Sequence, residues 1–242
     1  MRIIVYGALG TMGKLTANYI ESKEESLDRV DPLSENEDVA QTLDVVKQPT
    51  VIIDFSHPSQ LDTLLSYAKR RIVPLVIATT GYTPKQEEKI LAASKEIPIF
   101  KSANLSFGIH LLHKVLKKYA HLLENEYDIE IIEKHHRNKI DAPSGTAYLL
   151  AESIKAGSKE AKNIVIDRTL SRTKRTSNEI GISSMRGGNI VGEHSVIFAG
   201  LQDTITLTHE AHTKEVFAHG AYKAAQFIEN QRPGLYTMDD LL

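Results

Sequence analysis

Residues 3–13 read Ile-Ile-Val-Tyr-Gly-Ala-Leu-Gly-Thr-Met-Gly, and they indicate the fold class of the first part of the chain. A short apolar run that ends at a glycine is typical of a buried parallel strand. The glycines follow with the spacing G-x-x-G-x-x-G and open a predicted helix over 11–20. Such glycines let the backbone approach a pyrophosphate, which the free amides of the helix N-terminus bind. The stretch predicts a dinucleotide site or, alternatively, a plain strand-to-helix turn of another α/β fold.

Strands and helices continue to alternate after this turn. Apolar runs predict strands over 50–55, 73–78 and 97–100, and helical patterns predict helices over 58–70 and 84–96. Short loops between such elements favour a parallel sheet covered by helices on both faces. The polar and acidic stretch 21–38 holds only a weak further strand at 29–31.

The pattern changes after residue 104. We predict helices over 108–123, 144–156 and 213–229, and strands over 127–133, 179–185, 190–198 and 204–209, which suggests an antiparallel or mixed sheet. The fold class is therefore α/β, with a Rossmann-like parallel-sheet nucleotide domain and a mixed-sheet α+β domain. The expected domains are 1–104, with 217–242 packing back on it, and 105–216.

The bulk composition describes an ordinary globular protein. The chain has 242 residues, a formal net charge of −2 and no cysteine. The charge predicts no general attraction to nucleic acid or to an anionic membrane. Disulfides, thiolate catalysis and cysteine-ligated zinc are excluded. Since neither a signal peptide nor an apolar run of the ~18 residues that a membrane span needs is visible, we expect a cytoplasmic enzyme.

Polar residues follow several predicted strands of the first domain. Asp31 lies 18 residues after Gly13 and is the best match for an acidic residue that binds ribose hydroxyls, although a solvated loop aspartate fits equally well. The loops 78–81 and 102–105 follow two other strands, at the sheet edge where ligands of open α/β sheets bind. Both loops could line a nicotinamide, or be ordinary turns.

The segment 133–147 reads Glu-Lys-His-His-Arg-Asn-Lys-Ile-Asp-Ala-Pro-Ser-Gly-Thr-Ala and carries the chemistry of the second domain. The paired His135 and His136, the following Lys139 and the start of a helix at Gly145 and Thr146 favour acid–base work on an anion. A surface or core histidine pair is the plainer interpretation. A metal site is the other rival, but the spacings to His209, His212 and His219 match no strong zinc pattern, and we predict no metal. The basic loop 168–175 could also reach an anion, or be a solvated loop.

These motifs together resemble the 4-hydroxy-tetrahydrodipicolinate reductase family, also called dihydrodipicolinate reductases, over nearly the whole chain. The segment 133–147 carries the resemblance. Supporting motifs are Val51-Ile-Ile-Asp-Phe-Ser56, Ala78-Thr-Thr-Gly81, Ser102-Ala-Asn-Leu-Ser-Phe-Gly108, Arg186-Gly-Gly188, Gly192-Glu-His194, His209-Glu-Ala211 and Phe217-Ala-His-Gly-Ala221.

The resemblance implies a reductase that acts on a small cyclic dicarboxylate with NADH or NADPH, releases water and contains no metal. It also implies a homotetramer built through the sheet of the substrate domain. His135 would be the proton donor or acceptor and Lys139 a proton donor, and substrate would be bound by His136, Gly145 and Thr146. The implied cofactor residues are Gly7, Ala8, Leu9, Gly10, Thr11, Met12, Ala78, Thr79, Thr80, Ser102, Ala103, Asn104 and Leu105.

Two departures from the family pattern affect the cofactor. Ala78 stands where glycine is usual before Thr-Thr-Gly, and Thr11 stands where many members carry a basic residue. With Asp31 near the ribose, we expect use of both cofactors and no strong preference for NADPH. The rival functions are a reductase of the same architecture that acts on another substrate, such as an amino-acid semialdehyde, and a non-catalytic nucleotide sensor.

Overall fold

The apolar run at the start of the chain forms an inner strand of a parallel sheet in the computed structural model. The strands of this sheet are β1 (Arg2–Tyr6), β2 (Ser26–Val30), β3 (Val51–Asp54), β4 (Leu75–Ile77), β5 (Pro98–Lys101) and β11 (Gly234–Tyr236). Their spatial order is β11-β5-β4-β3-β1-β2, and every neighbouring pair is parallel.

The structure describes residues 1–35, 38–166, 168 and 172–241. Residues 36–37 of the acidic stretch, residue 167, residues 169–171 of the basic loop and the last residue therefore lie outside the described part. Within it, the chain forms two compact units, one of Met1–Phe107 with Lys214–Leu242 and one of Gly108–Thr213.

Helices cover both faces of the first sheet. They are α1 (Thr11–Glu21), α2 (Leu61–Arg71), α3 (Pro84–Ala93), α6 (Glu215–Ile228) and α7 (Met238–Leu241). Successive residues of β1 point to opposite faces: Ile4 packs in the cluster of α2 and α3, whereas Ile3 and Val5 pack in the cluster of α1 and α6. Burial on both faces explains why the inner strands read as continuous apolar runs.

The second unit holds a separate five-stranded sheet. Its elements are α4 (Phe107–Tyr119), β6 (Asp128–His135), α5 (Gly145–Gly157), β7 (Asn163–Ile166), β8 (Glu179–Arg186), β9 (Gly192–Ala199) and β10 (Thr204–Ala211). The strand order is β10-β9-β6-β8-β7. The sheet is mixed, since β6 runs parallel to β8 and antiparallel to β9. Residues of α4 and α5 pack against alternate residues of β6, β8 and β9 on one face.

The predicted fold class is confirmed, a Rossmann-like parallel sheet and a separate mixed sheet. The weak strand expected at 29–31 is β2, which instead spans Ser26–Val30 and leaves Asp31 in the following loop. The strands β7 and β11 were not predicted. All three lie at sheet edges and pair on one side only. The sequences of β2 and β11 lack the apolar run of an inner strand, whereas β7 has the short apolar run 164–166 but only four residues in all. No helix in the described residues is long and apolar enough to cross a membrane.

Candidate active site

The turn between β1 and α1 requires glycine at two positions. Gly7 has φ +81°, and a Cβ there would lie 2.6 Å from the carbonyl oxygen of Phe55. A Cβ on Gly13 would lie 2.1 Å from the carbonyl oxygen of Gly7. The N-cap of α1 is Gly10, which offers no side chain to the first amides of the helix, and the first turn carries no acidic residue. These amides therefore suit a phosphate.

Asp31 lies beside this turn and lines a cavity of about 460 Å³ together with Gly7, Leu9 and Gly10. Its carboxylate accepts hydrogen bonds from the backbone N–H groups of Leu9 and Leu33, each at 3.0 Å. No lysine or arginine is among the residues that line this cavity in the described chain. The nearby Arg29 instead forms an ion pair with Glu21 at 2.7 Å, so its charge is already partnered.

Two further loops lie at the same sheet edge as the glycine turn. Residues 78–80 follow β4, and residues 102–105 follow the neighbouring β5. The N–H of Ala78 donates to the carbonyl of Asp54 (3.0 Å), and the N–H of Ser102 donates to the carbonyl of Ile77 (3.2 Å). Thus, the structure brings the predicted loops of the first unit to one edge. Leu105 differs from the others, because its side chain is buried in the core.

A buried carboxylate that sequence reasoning missed joins these loops. Asp54, at the end of β3, is fully buried and accepts hydrogen bonds from the N–H (3.0 Å) and hydroxyl (2.6 Å) of Ser56. The hydroxyl of Tyr82 donates to its other oxygen at 3.3 Å. Burial raises the pKa of Asp54, and the hydrogen bonds from Ser56 oppose that rise. Asp54 thereby connects the loop after β3 with the loop after β4.

In the second unit, one face of the mixed sheet changes from apolar to polar along its length. Residues two apart on β6 share a face, so the row that begins with the buried Ile129 and Ile131 continues with Glu133 and His135. The register places His194 of β9 opposite Glu133 and Arg186 of β8 beside His135. The apolar core therefore ends in a cluster of titratable side chains, which we call the polar cluster: Glu133, His135, Arg186 and His194.

Glu133 is the centre of the polar cluster and is fully buried. Its Oε2 accepts from the Nδ1 of His135 (2.6 Å) and from Arg186 (2.8 Å). Its Oε1 accepts from Arg186 (2.7 Å) and from the N–H of Ser144 (3.2 Å). Burial opposes the ionisation of Glu133, but hydrogen bonds from Arg186, Ser184 and His135 outweigh it and hold the pKa at about 2.

Burial disfavours the charged form of both histidines of the polar cluster. Burial lowers the pKa of His135, although the hydrogen bond to Glu133 and its negative charge work in the opposite direction. Burial and the neighbouring His135 lower the pKa of His194 to about 3. The two rings are in edge-on contact, with centroids 5.1 Å apart. His135 is the less buried of the two.

The N-terminus of α5 lies against the polar cluster. Ser144 is the N-cap, and its hydroxyl accepts from the N–H of Ala147 (3.1 Å) and contacts the Nε2 of His194 (2.9 Å). A Cβ on Gly145 would meet no heavy atom within 4 Å, so the space beside this residue is open. The predicted Gly145 and Thr146 open the helix, at the positive end of its dipole, where a carboxylate is favoured.

The loop after β6 carries the remaining predicted residues. His136 has a buried Nδ1 that makes no hydrogen bond within the described chain. The Nζ of Lys139 forms an ion pair with Asp141 at 2.8 Å, and its side chain is 23% exposed. The positive charge of Lys139 also contributes to the lowered pKa of His135, after burial. Lys139 is thus close enough to affect the imidazole.

The structure adds residues that the sequence did not assign. Glu133 and Ser144 lie within the predicted segment 133–147. The two-residue period of a strand places Glu133 on the same face as His135, and serine is a preferred N-cap of helices, so both residues had a signal in the sequence. Arg186 and His194 join the cluster only through sheet register, which a single sequence does not show. In the basic loop, Arg175 forms an ion pair with Glu130, so it is engaged within its own unit.

Comparison with known proteins matches the whole chain. The family described as "Dihydrodipicolinate reductase, N-terminus" matches residues 1–105, and "Dihydrodipicolinate reductase, C-terminus" matches residues 108–242. A 4-hydroxy-tetrahydrodipicolinate reductase of Caldanaerobacter subterraneus subsp. tengcongensis is 45% identical over 100% of this chain and 98% of its own. One of Clostridium novyi is 44% identical with the same coverage of both chains.

A solved structure shows the same fold. It is a dipicolinate-bound dihydrodipicolinate reductase from Paenisporosarcina sp. TG-14, which superposes with a TM-score of 0.79 and 24% identity over 100% of this chain and 99% of that one. Together with the full-length matches in sequence, the glycine turn and the polar cluster lead to one conclusion: the chain belongs to the dihydrodipicolinate reductase family, and it is an NAD(P)H-dependent oxidoreductase of diaminopimelate and lysine biosynthesis.

Proposed function

We propose that this chain reduces 4-hydroxy-tetrahydrodipicolinate to tetrahydrodipicolinate, with His135 and Lys139 as its proton-transfer residues. The reaction consumes one hydride and one proton, and the substrate hydroxyl leaves as water. The observation that carries the proposal is the hydrogen bond between the Nδ1 of His135 and the buried Glu133 (2.6 Å), beside the N-terminus of α5. This arrangement provides a group that can exchange a proton and an anion site in one place.

The first unit fits a nicotinamide dinucleotide. A pyrophosphate would bind at the turn of residues 7–12, where Gly7 and Gly13 keep the backbone close and the first amides of α1 have no side-chain cap. Asp31 would accept a hydrogen bond from a ribose hydroxyl, since it lines the same cavity. The loops 78–80 and 102–105 would bound the nicotinamide. When bound, the cofactor supplies the hydride.

The second unit suits a dicarboxylate. One carboxylate of the substrate would be bound by the amides of Gly145 and Thr146, at the start of α5. His136 would supply a further contact from the loop that directly follows β6. The related structure from Paenisporosarcina holds dipicolinate, a ring with two carboxylates, which is consistent with a site of this kind.

Two side chains would manage the proton and the developing charge. The Nδ1 of His135 is held by Glu133, so its Nε2 is the atom that would exchange a proton with the substrate ring. Lys139 would leave Asp141 and place its charge beside the substrate, where negative charge develops during reduction. General acid catalysis of this kind contributes typically ~10²–10⁴-fold to the rate.

We also propose a homotetramer that works in the cytoplasm. The face of the second sheet opposite α4 and α5 carries exposed or half-buried apolar side chains, including Ile132 (36% exposed), Met185 (45% exposed) and Ile197. The edge strand β10 pairs only with β9 in the described chain. Association of identical sheets would cover both features. The absence of cysteine agrees with a reducing compartment.

A direct assay tests the proposed reaction. The chain is incubated with NADH or NADPH and enzymatically generated 4-hydroxy-tetrahydrodipicolinate, and the loss of reduced cofactor absorbance is followed. We expect turnover with both cofactors and a product that lacks one oxygen atom by mass spectrometry. Because Asp31 lines the cavity and no lysine or arginine does, the efficiency with NADPH should not exceed that with NADH by more than about 100-fold. Turnover on an amino-acid semialdehyde instead, or cofactor binding without any turnover, would contradict the proposal.

A further inference from the structure

We infer that Glu133 is a positioning residue for the reduction: it fixes which nitrogen of His135 carries the hydrogen and couples that histidine to the N-terminus of α5. The inference rests on the proposed role of His135. Glu133 would touch neither the substrate nor the cofactor, and would act only through its neighbours.

The surroundings of Glu133 require it to be an acceptor. Arg186 donates to both of its oxygens, at 2.8 and 2.7 Å, and an arginine has no acceptor atom. A backbone N–H, that of Ser144, donates to Oε1 at 3.2 Å. An ionised carboxylate accepts at every position, so its contact with the Nδ1 of His135 must also be a donation to Glu133. In the neutral imidazole, the hydrogen therefore lies on Nδ1.

The consequence is that the Nε2 of His135 is free to exchange a proton. The structure also keeps space beside that atom: a Cβ on Gly192 would lie 3.1 Å from it, closer than ordinary van der Waals contact. Glycine at position 192 leaves the approach to Nε2 open. If Nε2 carried the hydrogen instead, Nδ1 would face the carboxylate with a lone pair, which is repulsive.

Glu133 also links two parts of the site that are distant in sequence. The N–H that it accepts belongs to Ser144, the N-cap of α5, whereas His135 ends β6. One buried carboxylate thus holds both the proton-transfer residue and the start of the helix proposed to bind a substrate carboxylate. A shift of Glu133 would move both at once, and positions of this kind are sensitive to small displacements.

A purely structural role is the competing explanation, since Glu133 and Arg186 form a buried ion pair. Breaking such a pair destabilises a protein whether or not it has a catalytic effect. The two roles differ in one respect. A positioning residue has no further effect on turnover once the residue it positions has been replaced, whereas a structural residue affects turnover in either background.

The first test is therefore a double-mutant cycle of Glu133→Gln and His135→Gln, with turnover, NADH affinity and melting temperature measured for each variant. We expect Glu133→Gln alone to lower kcat by about 10²-fold or more, as a misoriented histidine does. In the His135→Gln background, it should change kcat by less than about threefold, and any effect that remains through the start of α5 should appear in KM for the substrate. Glu130→Gln is the matched control, because Glu130 also lies on β6 and pairs with an arginine, Arg175 at 2.8 Å, but contacts no histidine. It should leave kcat within about threefold of the wild type.

The second test does not depend on the folding of a variant that lacks the buried ion pair. The tautomer of His135 is read in the wild-type protein from long-range ¹H–¹⁵N correlations of the imidazole, with His135→Gln used to assign the signals. We expect the neutral ring to carry its hydrogen on Nδ1. A hydrogen on Nε2 would overturn the inference even if Glu133→Gln does not fold.

Three results would overturn the inference while leaving the proposed function intact: a hydrogen on Nε2, an equal loss of kcat from Glu133→Gln in both backgrounds, or a folded Glu133→Gln variant within about threefold of wild-type kcat. If His135→Gln itself turns over normally, the proposed role of His135 fails first, and this inference with it. The two failures are therefore distinguishable.

Discussion

Lys139 lies 2.8 Å from the exposed carboxylate of Asp141, so a bound dicarboxylate must compete with this partner for its charge. We predict that Lys139→Met raises KM for the substrate and also lowers kcat, because the charge acts on both the bound substrate and the transition state. The expected loss in kcat/KM is about 10²-fold. Lys223→Met, an exposed lysine of α6, is the control. Steady-state kinetics that show kcat/KM within about threefold of wild type for Lys139→Met would remove Lys139 from the mechanism.

The buried imidazole of His194 makes stability depend on pH. Its pKa falls from an ordinary 6.5 to about 3 in the folded protein, through burial above all. Between these values, the unfolded chain binds a proton that the folded chain does not, so the free energy of unfolding decreases as pH falls below 6.5. One such site contributes up to about 1.4 kcal/mol per pH unit. Glu133 adds to the loss at still lower pH, because its folded pKa of about 2 lies below the ordinary 4.5.

We therefore predict that His194→Gln flattens the decline of stability between pH 6.5 and 5. Glutamine keeps a polar group for Ser144, which contacts the imidazole at 2.9 Å, but takes up no proton in this range. Chemical unfolding at several pH values measures the effect. The exposed His212 provides the control variant, His212→Gln, whose pH dependence should match that of the wild type. An unchanged slope in His194→Gln would show that another group controls the acid sensitivity.

At the scale of single residues, the signature around His135 was readable because it is local. His135, His136, Lys139, Gly145 and Thr146 all fall within twelve consecutive residues, and strand and helix periodicity place them at the ends of two elements. The partners Arg186 and His194 lie about 50 residues further on. They reach Glu133 and His135 only through the register of β6 with β8 and β9, which no local pattern encodes.

At the scale of elements, the turn between β1 and α1 offers a test with a built-in control. A Cβ on Gly13 would lie 2.1 Å from the carbonyl oxygen of Gly7, whereas one on Gly10 would lie 3.4 Å from the same atom, an ordinary contact. Gly13→Ala should therefore destabilise the protein by about 1–3 kcal/mol or more, as overpacking does. We expect its melting temperature to fall by roughly 2–4 °C for each kcal/mol, and that of Gly10→Ala to change little. Equal melting temperatures for the two variants would contradict this description of the turn.

Inner strands and edge strands differ in how well their own sequences predict them. Inner strands such as β1 and β3 are buried on both faces, so their apolar runs are unmistakable. The edge strand β2 reads Ser-Leu-Asp-Arg-Val and is half-exposed, and β11 has only three residues. Both are strands because a neighbour supplies their hydrogen bonds, β1 and β5 respectively. Such elements are determined by tertiary context rather than by their own composition.

At the scale of the whole molecule, the open face of the second sheet predicts self-association. Light scattering at micromolar concentration should give a mass near 108 kDa, four times the chain mass of 26.9 kDa. Met185→Lys places a charge on this face, where Met185 is 45% exposed, and should shift the mass towards smaller species. A wild-type mass equal to that of one chain would refute the tetramer.

We propose that His135 transfers the proton while the first unit holds the cofactor independently of it. The most direct test is the His135→Gln variant, with kcat from steady-state assays and the Kd for NADH from fluorescence titration. We expect a loss in kcat of about 10²-fold or more, with a Kd and a melting temperature close to those of the wild type. His212→Gln should match the wild type in all three measurements. If His135→Gln melts normally, binds NADH normally and turns over within about threefold of the wild type, the assignment of His135 is wrong.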